Sequence, residues 1–132
     1  MKNIFYCFLL MPALSSCFLA NVTTVYSNSR GKIDVPQKES YQVVYQANFG
    51  DGLKAEVAYT NENATQTELK EISGVWEQRV ALKSGTHVQI KTFATAKASA
   101  KGEYKILVDG KVVSEYILRG KKLNYTFSFD LP

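Results

Sequence analysis

Three kinds of side chain in this sequence could do chemistry: two thiols, one imidazole and a few neighbouring carboxylates. Cys7 lies inside an apolar run, whereas Cys17 closes the tetrapeptide Leu14-Ser15-Ser16-Cys17. An aliphatic residue and two small ones thus precede this thiol directly. His87 is the only histidine, which excludes a multi-histidine metal site, and no cysteine follows Cys17 to supply thiolate ligands or a Cys–His nucleophile. Alternation also places His87 on the polar phase of its segment. Glu68 with Glu71, and Asp51 near Glu56, are the local carboxylate groupings, and neither sits in a pattern that would push two pKa values apart for acid–base work. Signatures of serine hydrolases, zinc proteases, phosphate-binding loops and calcium loops are absent. The residues therefore point to a chain that is not an enzyme and carries no cofactor and no metal.

The segment before Cys17 supplies the context for its thiol. Lys2 gives one positive charge, and Ile4 to Leu14 is apolar apart from the break at Pro12. A permanent membrane helix needs about 20 apolar residues, so this run is short for one and has the form of a secretory signal peptide. Leu14 to Cys17 then resembles the bacterial lipobox. The rival, cleavage after Ala20, would put bulky Phe18 where a small residue is wanted. The expected product is a lipoprotein, acylated on Cys17 and held to a membrane by that lipid. Phe18-Leu19-Ala20-Asn21 places no Asp directly after the cysteine, which by analogy with lipoprotein sorting favours the outer membrane, facing the periplasm.

The remaining sequence must position whatever that anchor carries. The 132 residues fit one domain, and Tyr, Phe, Val and Thr recur where long helical runs are missing, a composition that favours β-structure. The net charge of +4 is scattered and interleaved with acidic residues, unlike the concentrated basic surface of a nucleic-acid binder. Residues 1–16 read as signal peptide and residues 17–40, rich in Asn, Ser and Thr, as a lipidated flexible tether. A short strand near Val22 to Tyr26 is the alternative for part of the tether.

Residues 41–132 read as the folded domain. Tyr41, Val43, Tyr45, Ala47 and Phe49 alternate with Gln42, Gln46 and Asn48, and Leu53, Ala55, Val57 and Tyr59 with Lys54, Glu56 and Thr60, so two strands follow with a turn at Gly50-Asp51-Gly52. Thr65 to Ile72 reads as an edge strand, and Val75 to Leu82 as a strand burying Trp76, Val80 and Leu82. Val88 to Ala94 is another. Ala94 to Lys101 reads as a loop between layers. Asp109-Gly110 sets a tight hairpin between Tyr104–Val108 and Lys111–Tyr116, with a bulge after Val113 turning Tyr116 inward. Arg119 to Lys122 reads as a turn before a last strand, Leu123 to Phe129. About seven or eight short strands at regular spacing predict an antiparallel immunoglobulin-like β-sandwich.

Two surface groups are candidates for contact. Arg119, Lys121 and Lys122, extended by Lys111, could meet anionic lipid or an acidic partner. Phe93 and Tyr116 could stack on a sugar face, with core packing as the competing role.

At the Asp-Gly hairpin the sequence also resembles a family. Val57-Ala58-Tyr59-Thr60-Asn61-Glu62-Asn63, Val75-Trp76, Lys83-Ser84-Gly85 and Val108-Asp109-Gly110-Lys111-Val112-Val113 look like the MmpS-type small membrane-associated proteins and related bacterial lipoproteins. That resemblance covers Tyr41 to the C-terminus and implies an extracytoplasmic β-sandwich that assists a large envelope transporter. It supplies no catalytic residues. The lipobox stands where those proteins keep a transmembrane helix. The functional expectation is a protein-interaction or transport-accessory lipoprotein, with a glycan- or small-ligand-binding module as the alternative.

Overall fold

The computed structural model describes residues 23–50 and 52–132; the expected signal peptide, the expected lipobox and Cys17 lie outside these. Seven strands occur in the order β1 (Thr24–Lys32), β2 (Ser40–Phe49), β3 (Lys54–Thr60), β4 (Gln66–Ile72), β5 (Gly74–Lys83), β6 (His87–Val108) and β7 (Lys111–Asp130). All belong to one sheet, and no helix is present among the described residues.

The long hairpin β6–β7 is the spine. Its turn is the Asp109-Gly110 pair, with φ of 48° and 81°, the positive values that a two-residue hairpin turn requires. Asp109 also pins this turn to the start of β2. Its carboxylate accepts from the Gln42 amide at 2.9 Å and from Lys38 Nζ at 2.8 Å. Those two donors hold its carboxyl below the usual range, Lys38 contributing most.

Midway along the spine the ladder is interrupted. Thr95 pairs with Lys122 and Ala100 with Gly120, so Ala96 to Ser99 stand opposite Lys121 alone. Such an excess on one strand bends it. Gly120, at φ 151°, lies at the same point, where an added Cβ would come within 2.8 Å of the Thr24 hydroxyl. On one side of the break, β6 and β7 extend a leaf ordered β5-β2-β6-β7; on the other, β3 and β4 pair beside β6, and β1 beside β7.

The two leaves face each other. Tyr104 and Tyr125 lie in different halves of the spine, yet their rings stack at 4.4 Å and 8°. Ser114 and Tyr125, in opposite halves of β7, share a hydrogen bond of 2.7 Å. Neither contact can form unless the spine folds over. Between the leaves, Tyr45, Phe49, Leu82, Ile90, Ile106, Leu123, Phe127 and Phe129 are fully buried in one core. Burial raises the phenol of Tyr125 to about 12 and pushes those of Tyr45 and Tyr104 upward as well.

Several sequence expectations need correction. The fold is all-β as expected, but the sheet is mixed, because β1 runs parallel to β7 from Thr24↔Leu123 onward. Residues 24–32, expected within the tether, are this strand, and Ile33 joins the core. The strand was hard to read because only Tyr26 packs inward among its apolar residues, while Val25 stays 60% exposed. Ala94 to Lys101 is bulged strand rather than loop, and Arg119 to Lys122 continues β7 rather than ending a strand. Short apparent strands thus merge into two long ones. The edge assignment of β4 holds, as it pairs with β3 alone. Trp76 is half-buried rather than central, because β5 is itself an edge. The bulge in β7 is present: Ile106 pairs with Ser114 and Leu107 with Val112, leaving Val113 extra. Tyr116 accordingly stands opposite buried Tyr104 and stacks on Tyr26 at 4.0 Å, but stays 42% exposed at the rim.

Candidate interaction surfaces

The first surface is the outer face of the β5-β2-β6-β7 leaf. Pairing aligns Val75, Asn48, Glu103 and Ile117 in one row across the four strands. The next outward row is Glu77, Gln46, Lys105 and Glu115. Beyond it come Arg79, Val44, Leu107 and Val112. Two rows with apolar members therefore bracket a charged one. A shallow groove of about 400 Å³ runs over the first two rows. Within the charged row the Gln46 amide donates to Glu77 at 2.7 Å, and Arg79 reaches Glu77 at 3.3 Å. These contacts, Gln46 first, hold the Glu77 carboxyl below its ordinary range.

The second surface is the bent end of the spine. Arg119 lies directly opposite Lys101, and Lys122 opposite Thr95, with Lys121 between them. Lys97 and Lys54 flank the same depression at Thr95 to Ser99. Lys101 is paired with Glu103 at 3.0 Å, which leaves Arg119, Lys121 and Lys122 as exposed positive charge. The chain enters the sheet here, since Thr24 pairs with Leu123 and its hydroxyl donates to the Arg119 carbonyl at 2.9 Å. The basic cluster and the attachment point of residues 1–22 thus share one end of the molecule. Lys111 does not extend the cluster: it sits at the opposite end of β7, where its ammonium donates to the Asp34 carbonyl at 2.7 Å.

Phe93 and Tyr116 do not form a common platform. Phe93 is 40% exposed on the other leaf, beside Glu56, Lys91 and Asn124, whereas Tyr116 belongs to the first. His87 is exposed and meets the Asp130 carboxylate at the end of the β6–β7 ladder. Among the described residues no three His, Cys, Asp or Glu side chains cluster in a way that could hold a metal ion. The sequence did not foresee the apolar rows. Val75, Val112 and Ile117 each stand next to an apolar residue that packs inward, Trp76, Val113 and Leu118, and only the pairing across four strands sets them on one outer face.

Compared with known proteins, the chain matches no family model and no curated sequence.

Proposed function

We propose that the chain is a non-enzymatic bacterial envelope lipoprotein, acylated on Cys17, that docks a protein partner on the outer face of the β5-β2-β6-β7 leaf. One observation carries the docking surface. Of the six large apolar side chains left exposed among the described residues, Val75, Val112 and Ile117 lie on this outer face, and Val75 is 80% exposed. Isolated apolar residues are normal on a surface, whereas several gathered on one face, here in the two rows either side of a charged one, mark a contact site. The interleaved charges of Glu77, Lys105 and Glu115 would select among apolar partners.

The position of β1 supports the anchor's place in this scheme. Thr24 is seven residue steps on from Cys17, a reach of at most about 25 Å when extended. A lipid on Cys17 would hold the bent end close to the bilayer, with Arg119, Lys121 and Lys122 toward anionic head groups. The apolar face would then stand beside the membrane, within reach of a transporter or another envelope assembly. An accessory role of the MmpS type is the specific form of this reading, with residence in the outer membrane facing the periplasm. For the fold we propose a variant of the immunoglobulin-like sandwich; two facing leaves around one core favour it, while the parallel β1 and the shared β6–β7 spine depart from it.

Crosslinking in intact cells tests the docking surface. The wild type is expected to yield a discrete product with an envelope protein, and Val112→Asp/Ile117→Asp is expected to lose it while keeping its circular dichroism. No specific product, or one undiminished in the variant, would contradict the proposal. A glycan array separates the alternative reading, since only a sugar-binding module would show binding that depends on Phe93 or Tyr116.

A further inference from the structure

The sheet has several open edges, and all but one are interrupted or covered. Along β1 the register breaks between Ser29 and Lys32, beside Gly31 at φ 65°. In β4, Glu71 at φ 57° accompanies a register shift. The first half of β7 has its Val113 and Arg119 carbonyls occupied by Arg30 and Thr24. These are ways in which a protein keeps an edge from recruiting another strand. By contrast, β5 pairs with β2 over ten consecutive residues without a shift, Ser40↔Lys83 to Phe49↔Gly74, and its other side is open. It has no proline and no positive φ after Gly74.

We propose that this edge pairs antiparallel with β5 of a second copy of the chain, about a two-fold axis at Gln78. The sequence of the strand selects both the partner and the register. Outward residues of β5 are Val75, Glu77, Arg79 and Ala81, and the opposite side carries Trp76, Gln78 and Val80. With Gln78 opposite Gln78 of the partner, each Glu77 faces an Arg79, each Trp76 faces a Val80 and each Val75 faces an Ala81. Over Val75–Ala81 both charges are matched and every apolar residue meets an apolar one, while beyond them Leu82 faces Gly74 and Lys83 faces Ser73. Moving the axis to residue 77 sets two glutamates face to face, and moving it to residue 79 sets two arginines together. Like charges directly opposite across a strand pair are unfavourable, so both alternatives are disfavoured on the same ground. The axis at Gln78 is also self-complementary, as a two-fold interface requires. It joins two four-stranded leaves into one continuous sheet and covers Trp76, which the single chain leaves half-buried.

Neither the lipid anchor nor the docking face is needed for this pairing, so its test stands apart from theirs. Disulfide crosslinking of the full chain reads the register directly. Opposed residues in an antiparallel pair have Cα atoms about 4.5–5.5 Å apart, within disulfide range. Gln78→Cys is expected to give a reducible dimer above the background of the parent, which has its own Cys7 and Cys17. Val75→Cys alone should give none, because the register carries the two Val75 positions about 20 Å apart. Val75→Cys/Ala81→Cys should restore the dimer. In the Gln78→Cys chain, Glu77→Arg or Arg79→Glu should each lower the yield several-fold, and the exchange Glu77→Arg/Arg79→Glu should recover it. No dimer from Gln78→Cys, equal dimer from Val75→Cys alone, or no recovery by the charge exchange would overturn the proposal.

Discussion

Removing the hydroxyl of Tyr125 tests the folding-over of the β6–β7 spine. Tyr125 and Ser114 are eleven residues apart in β7, and their hydroxyls meet at 2.7 Å in the core. Along an extended strand that separation would be about 36 Å, so the bond exists only because the two leaves close on each other. Tyr125→Phe keeps the ring, which is packed between Tyr104 at 4.4 Å and Tyr26 at 5.4 Å, and leaves the Ser114 hydroxyl without its partner. Ser114 is 8% exposed and Tyr125 fully buried. The cost of an orphaned buried hydroxyl is about 1–3 kcal/mol, so Tyr125→Phe is expected to destabilise by about 1–2 kcal/mol. Ser114→Ala should fall toward the upper end, because the phenol it strands has no access to water. The double variant replaces both partners by apolar groups and should lose far less than the sum, giving a coupling of about 1 kcal/mol or more. Urea unfolding of the four chains measures this from the midpoints at constant slope. Single losses that add to within about 0.3 kcal/mol would show that the hydroxyls do not meet, and the facing of the leaves would fail with them.

Three further outcomes follow from the same contacts. The phenols of Tyr45, Tyr104 and Tyr125 are raised above their unfolded value of about 10. Their contribution is therefore fully present below about pH 10 and lost as the pH rises toward 12, so tyrosinate absorbance should appear late and together with loss of near-ultraviolet dichroism. Early, non-cooperative ionisation of all eight tyrosines would contradict their burial. Gly120→Ala adds a Cβ at φ 151° within 2.8 Å of the Thr24 hydroxyl, and should destabilise by about 1–3 kcal/mol with β1 amides losing exchange protection first. Unchanged protection across β1 would argue against the close approach. Full-length chain bearing Arg119→Ala/Lys121→Ala/Lys122→Ala should bind phosphatidylglycerol vesicles up to about a hundredfold more weakly at low salt, at about 1 kcal/mol per charge, with binding to phosphatidylcholine unaffected. Equal losses on both vesicles would show that the cluster does not act through lipid charge.

The strands with a period of two were legible from the sequence. Tyr41 to Phe49 and Leu53 to Tyr59 alternate, apart from Val44 and Ala58, because each has one face in the core and one outside it. Asp109-Gly110 announced its turn by backbone chemistry alone. What stayed hidden depended on partners distant in the chain. Tyr26 supports β1 only by stacking on Tyr116 and Tyr125, about a hundred residues away, and nothing local in Thr24–Lys32 reveals that. The parallel pairing to β7 was invisible for the same reason. Ala94 to Lys101 looked like a loop because the bulge at Ala96 to Ser99 relaxes alternation without ending the strand. Of the candidate contacts, Arg119, Lys121 and Lys122 were recognisable as a cluster, but their meeting with the incoming chain at Thr24 needed the fold. Phe93 and Tyr116 looked equivalent in sequence and proved to lie on different leaves.

The proposed function begins at Cys17, and metabolic labelling with palmitate in a bacterial host tests it most directly. Wild type and Cys17→Ala both retain Cys7, which controls for acylation elsewhere in the apolar run. The expected result is label on the wild type, recovered in the membrane fraction, and none on Cys17→Ala. Equal labelling of the two chains, or no label on either, would contradict the lipoprotein reading.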